Sequence, residues 1–142
     1  ERLAALRARS DLLPRTAAGM DALLAARASR DQLQALEALL PESPVDDTDK
    51  NGYWNPLLRQ AQIGLVCYAA GLTVAADLVT WGFDTHQNHD NDQAQALTIL
   101  VNGITYLWDT AEQMGIADRL VVLVSSDFGR TPYYNSDAGK DH

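Results

Sequence analysis

The sequence predicts an α/β fold, a parallel or mixed sheet flanked by helices. Three observations carry that expectation. Residues 73–80 and 120–125 are short runs that are mostly apolar on both faces, with Asp77 the exception. Such runs suit central parallel strands better than half-exposed antiparallel ones. Between them, Leu97, Leu100, Val101, Ile104, Leu107, Trp108, Ala111 and Met114 recur with a helical period, which predicts a helix over 93–114. Strand, helix and strand in that order make a βαβ unit, whose crossover is right-handed in nearly every known case.

Taken in order, residues 1–40 are rich in Ala, Leu and Arg. Leu3 and Leu6 share one helical face. Met20, Leu23, Leu24 and Ala28 continue a stripe, and Leu33, Leu36, Leu39 and Leu40 follow a candidate cap at Ser29. Two or three helices, paired antiparallel, are expected there, and amphipathic stripes of this kind usually cover a core rather than form a docking surface. Residues 41–54 hold two prolines, a glycine and Asp46, Asp47 and Asp49, and predict a solvated or disordered loop. The acidic cluster lacks the distal Glu of an EF-hand loop and does not predict calcium. Asn55-Pro56 opens a helix, with Asn as cap and Pro at its first position. Gly71 ends that helix and Gly115 ends the next one. Cys67, inside the first of them, reads as a packing residue. The chain thus divides into a helical segment and polar loop over 1–54 and an α/β core over 55–142.

With 142 residues the chain has room for one domain with a core. Its 11 basic and 19 acidic residues give a net charge of −8, which excludes general nucleic-acid binding. No apolar run is long enough to span a membrane. The single cysteine cannot form an internal disulfide, so cysteine usage does not decide the compartment. The chain begins without Met and stops directly after Asp-His, and reads as a fragment. No motif in it speaks to oligomeric state.

Chemistry concentrates in three loops. Gly82-Phe83-Asp84-Thr85-His86-Gln87-Asn88-His89 follows the first predicted strand, and Ser126-Asp127-Phe128-Gly129-Arg130-Thr131-Pro132 follows the second. Gly139-Lys140-Asp141-His142 ends the chain. Parallel strands deliver their following loops to one sheet edge, where ligands of open α/β folds bind. Asp84, His86, His89 and Asp127 would therefore meet there, and Asp141 and His142 could fold back to them. Imidazole and carboxylate are common ligands of zinc and related divalent ions. Asp127-Phe128-Gly129 also spells the metal-binding triplet of protein kinases, but none of the other kinase motifs is present.

These three motifs, over roughly residues 55–142, resemble a bacterial family of unknown function, domain-of-unknown-function family 1501. That family is grouped with the alkaline phosphatase and sulfatase superfamily, and many members carry twin-arginine export signals. The resemblance implies a fragment of an alkaline-phosphatase-like sandwich with metals at the strand ends. Asp84 and a following His would match the superfamily's first metal pair. Asp127 would match the Asp of a later Asp-His pair, and His142 the final metal histidine. Two departures stand out: Asn88 occupies the usual position of the first histidine, and Phe128 replaces the second member of the Asp-His pair. The superfamily's nucleophile lies on an early strand that this chain does not contain.

The expectation is thus the C-terminal part of a metal-dependent hydrolase of phosphate or sulfate esters, exported or periplasmic if the resemblance holds. Asp84, His86, His89, Asp127 and His142 are the metal candidates, with zinc ahead of manganese, iron or calcium. Arg130 would clamp a small anionic ester. The alternative is a non-catalytic exported binding protein that keeps the fold and at most one metal.

Overall fold

The structure, a computed structural model, describes residues 13–142. The expected α/β sandwich is not what it shows. Of the described residues 52% are helical and 3% lie in strand positions, and no sheet forms among them. The order is α1 (Pro14–Leu39), α2 (Pro56–Ala69), α3 (His89–Gln113) and a 3-10 turn (Ala117–Arg119). β-Type pairing is limited to two isolated antiparallel bridges, Thr48 to Trp54 and Gln87 to Ala138.

The physical reason is partnership. Residues 73–80 and 120–125 do not run as helix, but extended backbone becomes a strand only when a neighbour supplies the ladder. Among the described residues, Val121 to Val124 have no backbone partner. Val79 is instead held by a side chain: Gln60 of α2 accepts from its N–H at 2.8 Å and donates to its carbonyl at 2.9 Å. Both segments border one open hollow of about 1350 Å³ against the helices. Val74, Val121 and Leu123 are 94%, 95% and 89% exposed, so these runs are not the core they were expected to be.

The cap of α2 and the glycines that end α2 and α3 stand where the sequence places them. Asn55 caps α2 by accepting from Leu57 N–H at 3.1 Å, with Pro56 at the first position. Its amide also donates to the Ile99 carbonyl of α3 at 2.8 Å, and Asn55 is 0% exposed. Gly71 (φ 72°) and Gly115 (φ 67°) sit in left-handed backbone just past α2 and α3. Cys67 is half-buried in α2. The break expected at Ser29 does not occur. Its hydroxyl donates to the Ala25 carbonyl one turn back, at 3.0 Å, so α1 runs on as one helix. The stripe at Leu3 and Leu6 lies outside the described residues.

The core sits between α2 and α3. Leu65, Ala111 and Ile116 are buried there, with Tyr68, Leu107, Met114 and Leu120 packed around them. Gly103 marks the closest approach: a Cβ there would stand 2.6 Å from the Cβ and Cδ1 of Leu57. No described helix is long and apolar enough to cross a membrane.

The acidic loop is not simply solvated. Asp49 is 8% exposed and accepts from the N–H groups of Asn51 and Tyr53, at 2.9 and 3.1 Å. The Asn102 amide of α3 donates to Asp49 Oδ2 and to Asn51 Oδ1, both at 2.8 Å. A neutral NH₂ group thus bridges two oxygens of the kind a cation would gather. Burial pushes the Asp49 carboxyl up, but the hydrogen bonds from Asn102, Tyr53 and Asn51 outweigh it and leave the carboxyl below its ordinary range. A depressed folded value stabilises the fold above the unfolded pKa of about 3.9, and that contribution is lost as pH falls through the folded value. Urea midpoints measured from pH 6 down to pH 3 should therefore fall more for the wild type than for Asp49→Asn. Parallel curves would remove Asp49 as a source of acid sensitivity.

Candidate metal centre

The centre is built where two loops lock together. Gly82 (φ 99°) turns the first extended segment into the loop Phe83–Gln87. Asn88 then takes left-handed backbone (φ 47°), a conformation Asn tolerates better than most residues, and α3 starts at His89. Thr85 is buried beneath this loop. Its hydroxyl lies 2.6 Å from His89 Nδ1 and donates to Gln93 Oε1 at 3.2 Å, fastening the loop to the first turns of α3.

The terminal loop, residues 131–141, closes over it. His89 N–H donates to Ala138 O at 2.9 Å, Asn88 N–H to Asp137 O at 3.2 Å and Lys140 N–H to Thr85 O at 3.0 Å. The Asn135 side chain accepts from Gly139 N–H at 2.9 Å and donates to His86 O at 2.8 Å. Gly139 lies so close that a Cβ would fall 1.8 Å from the carbonyl carbon and oxygen of His86.

This closure brings Asp84, His86 and His142 together, each offering one ligand atom within 4.8 Å of the others. His86 Nε2 lies 3.1 Å and His142 Nε2 3.7 Å from the same Asp84 Oδ1. Two atoms bound tetrahedrally to zinc at 2.0–2.1 Å would stand about 3.4 Å apart. The donor set suits zinc and these two distances lie near that value, while the same Asp84 Oδ1 also accepts from Arg130.

Around the triad, carboxylates are held ionised. The Arg130 guanidinium on Asp84 keeps that carboxyl below its usual range, although partial desolvation works the other way. The hydrogen bond from His86, joined by one from Asn135, does the same for Asp141. At the edge of the site Tyr134 donates to Asp90 Oδ1 at 2.6 Å, and that bond raises the phenol above its ordinary range.

The sequence candidates separate into two groups. Asp84, His86 and His142 converge. His89 is outside the triad, because its place in the first turn of α3 points Nδ1 at Thr85. Asp127 is also outside it, though it borders the same hollow as Asp84. The neighbour of Asp127 comes closer to the ligands: Phe128 packs on the His142 ring, with centroids 4.2 Å apart. Arg130 is committed to the protein itself. It donates to Lys140 O and Phe83 O, each at 2.9 Å, and to the Asp84 carboxylate, and its side chain is 12% exposed. It ties the terminal loop to the Asp84 loop rather than standing free for an anion. Sequence reasoning missed Thr85, Asn135 and Gly139. The Gly directly before Lys-Asp-His was the one available signal, since a glycine beside ligand residues often marks close backbone approach.

The fold and site thus define a helical domain with an exposed Asp/His₂ cluster under a terminal loop. Residues 57–142 match the family model described as protein of unknown function (DUF1501), and the chain belongs to that family. No curated protein and no solved structure matches the chain.

Proposed function

We propose that Asp84, His86 and His142 hold one divalent ion, zinc first among the candidates, and that this centre serves hydrolysis of phosphate or sulfate esters. The convergence of two Nε2 atoms on one carboxylate oxygen carries the metal assignment. The ester class rests on the motif resemblance to the alkaline phosphatase and sulfatase superfamily. A bound ion would supply Lewis-acid polarisation of an ester oxygen. The protein's own part is positioning. Arg130 fixes Asp84, and Thr85 and Asn135 fix the loop that carries His86.

A second reading, a metal-binding protein without turnover, is favoured by Arg130, whose hydrogen bonds go to the protein itself. One experiment separates the two. The purified protein, Asp84→Ala and Asp46→Ala are dialysed against zinc, manganese or iron, assayed for metal by elemental analysis and tested on p-nitrophenyl phosphate and p-nitrophenyl sulfate. Wild type and Asp46→Ala should retain about one ion per chain, and Asp84→Ala should lose it. Asp46 is a sound control because its side chain serves only the exposed loop, accepting from Thr48 N–H. Equal metal in all three, or none in the wild type, overturns the metal centre. Metal without ester hydrolysis selects the second reading.

A further inference from the structure

We propose that Asp141 is a positioning residue for this centre. It holds the His86 imidazole in the tautomer that carries its proton on Nδ1, so that the Nε2 lone pair faces Asp84 and His142. The inference rests on the metal reading above for its purpose, but not for its geometry.

His86 stands between two carboxylates. Its Nδ1 lies 2.8 Å from Asp141 Oδ1 and its Nε2 3.1 Å from Asp84 Oδ1. A neutral imidazole has one donor and one acceptor nitrogen, and the partner of one decides the role of the other. Asp141 is the better-anchored acceptor. The Asn135 amide donates to the same Oδ1 at 3.0 Å. The backbone on either side is fixed too: Asp141 N–H donates to Thr131 Oγ1 at 3.1 Å, and Thr131 N–H donates to Asp141 O at 2.7 Å. Asp84 Oδ1 already accepts from Arg130, and its contact with the ring is the longer of the two, 3.1 against 2.8 Å. The proton therefore belongs on the Asp141 side, and Nε2 is left as a ligand. Metal-bound histidines almost always donate their second ring N–H to a carboxylate or carbonyl in this way, and loss of such a partner typically costs 10–100-fold in metal affinity. Asp141 itself bonds the far side of the ring and is not among the converging ligand atoms.

The test reads the tautomer and the metal separately. ¹⁵N chemical shifts of the His86 ring in metal-free protein report which nitrogen is protonated. Zinc titration against a competing chelator reports affinity. Wild type should show Nδ1–H. Asp141→Ala should show a mixture of tautomers and bind zinc 10–100-fold more weakly. Asp141→Asn keeps an oxygen acceptor and should restore the Nδ1–H tautomer, with affinity between the other two. Circular dichroism of α2 and α3 should be unchanged throughout, because the Thr131 bonds involve only the Asp141 backbone.

A wild-type tautomer in Asp141→Ala, or a wild-type zinc affinity in it, overturns the proposal. Equal weakening of Asp141→Asn and Asp141→Ala also overturns it, by showing that charge and not orientation is what Asp141 supplies. If the wild type binds no zinc yet shows Nδ1–H that Asp141→Ala loses, the metal reading fails, and the orienting contact alone is upheld.

Discussion

Replacing Gly139 by alanine is expected to unfasten the terminal loop and abolish metal retention while the helix pair stays folded. The new Cβ would lie 1.8 Å from the His86 carbonyl and 2.3 Å from Gln87 N. All three atoms are backbone, so no rotamer change relieves the overlap, and the loop must back away. Retreat breaks the bonds Lys140 N–H to Thr85 O and His89 N–H to Ala138 O, which hold the loop against the start of α3. His142 would leave with it. Zinc affinity should fall by more than the roughly 100-fold upper range expected from losing an orienting partner alone. Amide exchange at His89 and Lys140 should speed up by at least on the order of tenfold, as expected for local opening. The helical circular dichroism signal and its melting should change little, because the core of Leu65, Ala111 and Ile116 lies elsewhere. Wild-type exchange at those two amides, with wild-type zinc affinity, would show that the loop is not clamped as described.

Gly103→Ala should act on the other half of the molecule. Alanine is the better helix former by about 0.5–1 kcal/mol, so propensity alone predicts a more stable protein. Packing predicts the opposite, since the added Cβ would stand 2.6 Å from the Cβ of Leu57, which is fixed to the α2 backbone. Separating the helices to admit a methyl group also strains the Asn55 bond to Ile99 O and the Asn102 bond to Asp49. Overpacking of this kind costs about 1–3 kcal/mol. We therefore expect a net loss of stability, read as a lower urea midpoint with an unchanged slope. A midpoint that rises would mean that α2 and α3 part freely at this crossing.

What the sequence made legible was local. Asn55-Pro56, Gly71 and Gly115 announced helix boundaries because capping and left-handed backbone depend on residues a few positions apart. The absence of a sheet among the described residues was not legible, because a ladder depends on what lies alongside. Val121–Val124 carries every compositional mark of a strand and still has no backbone partner among the described residues. Val79 found its partner in the Gln60 side chain, which no periodicity announces. The site divides in the same way. Asp84, His86 and His142 could be grouped from their motifs. The exclusion of His89 depends on the left-handed turn at Asn88 and the register of α3. The role of Arg130 depends on two carbonyls, Phe83 O and Lys140 O, brought to it by the fold.

The apolar stretch Val121–Val124, without a backbone partner among the described residues, bears on the protein in bulk. An extended segment with free N–H and C=O groups is a template for pairing with another chain. Like-charge repulsion between chains of net charge −8 opposes such encounters. It fades toward the isoelectric point near pH 4.6. The Asp49 network gives way only at more acid pH, since its carboxyl titrates below the ordinary range. Acidification therefore weakens the repulsion that opposes pairing at the exposed Val121 and Leu123 before it reaches the Asp49 network.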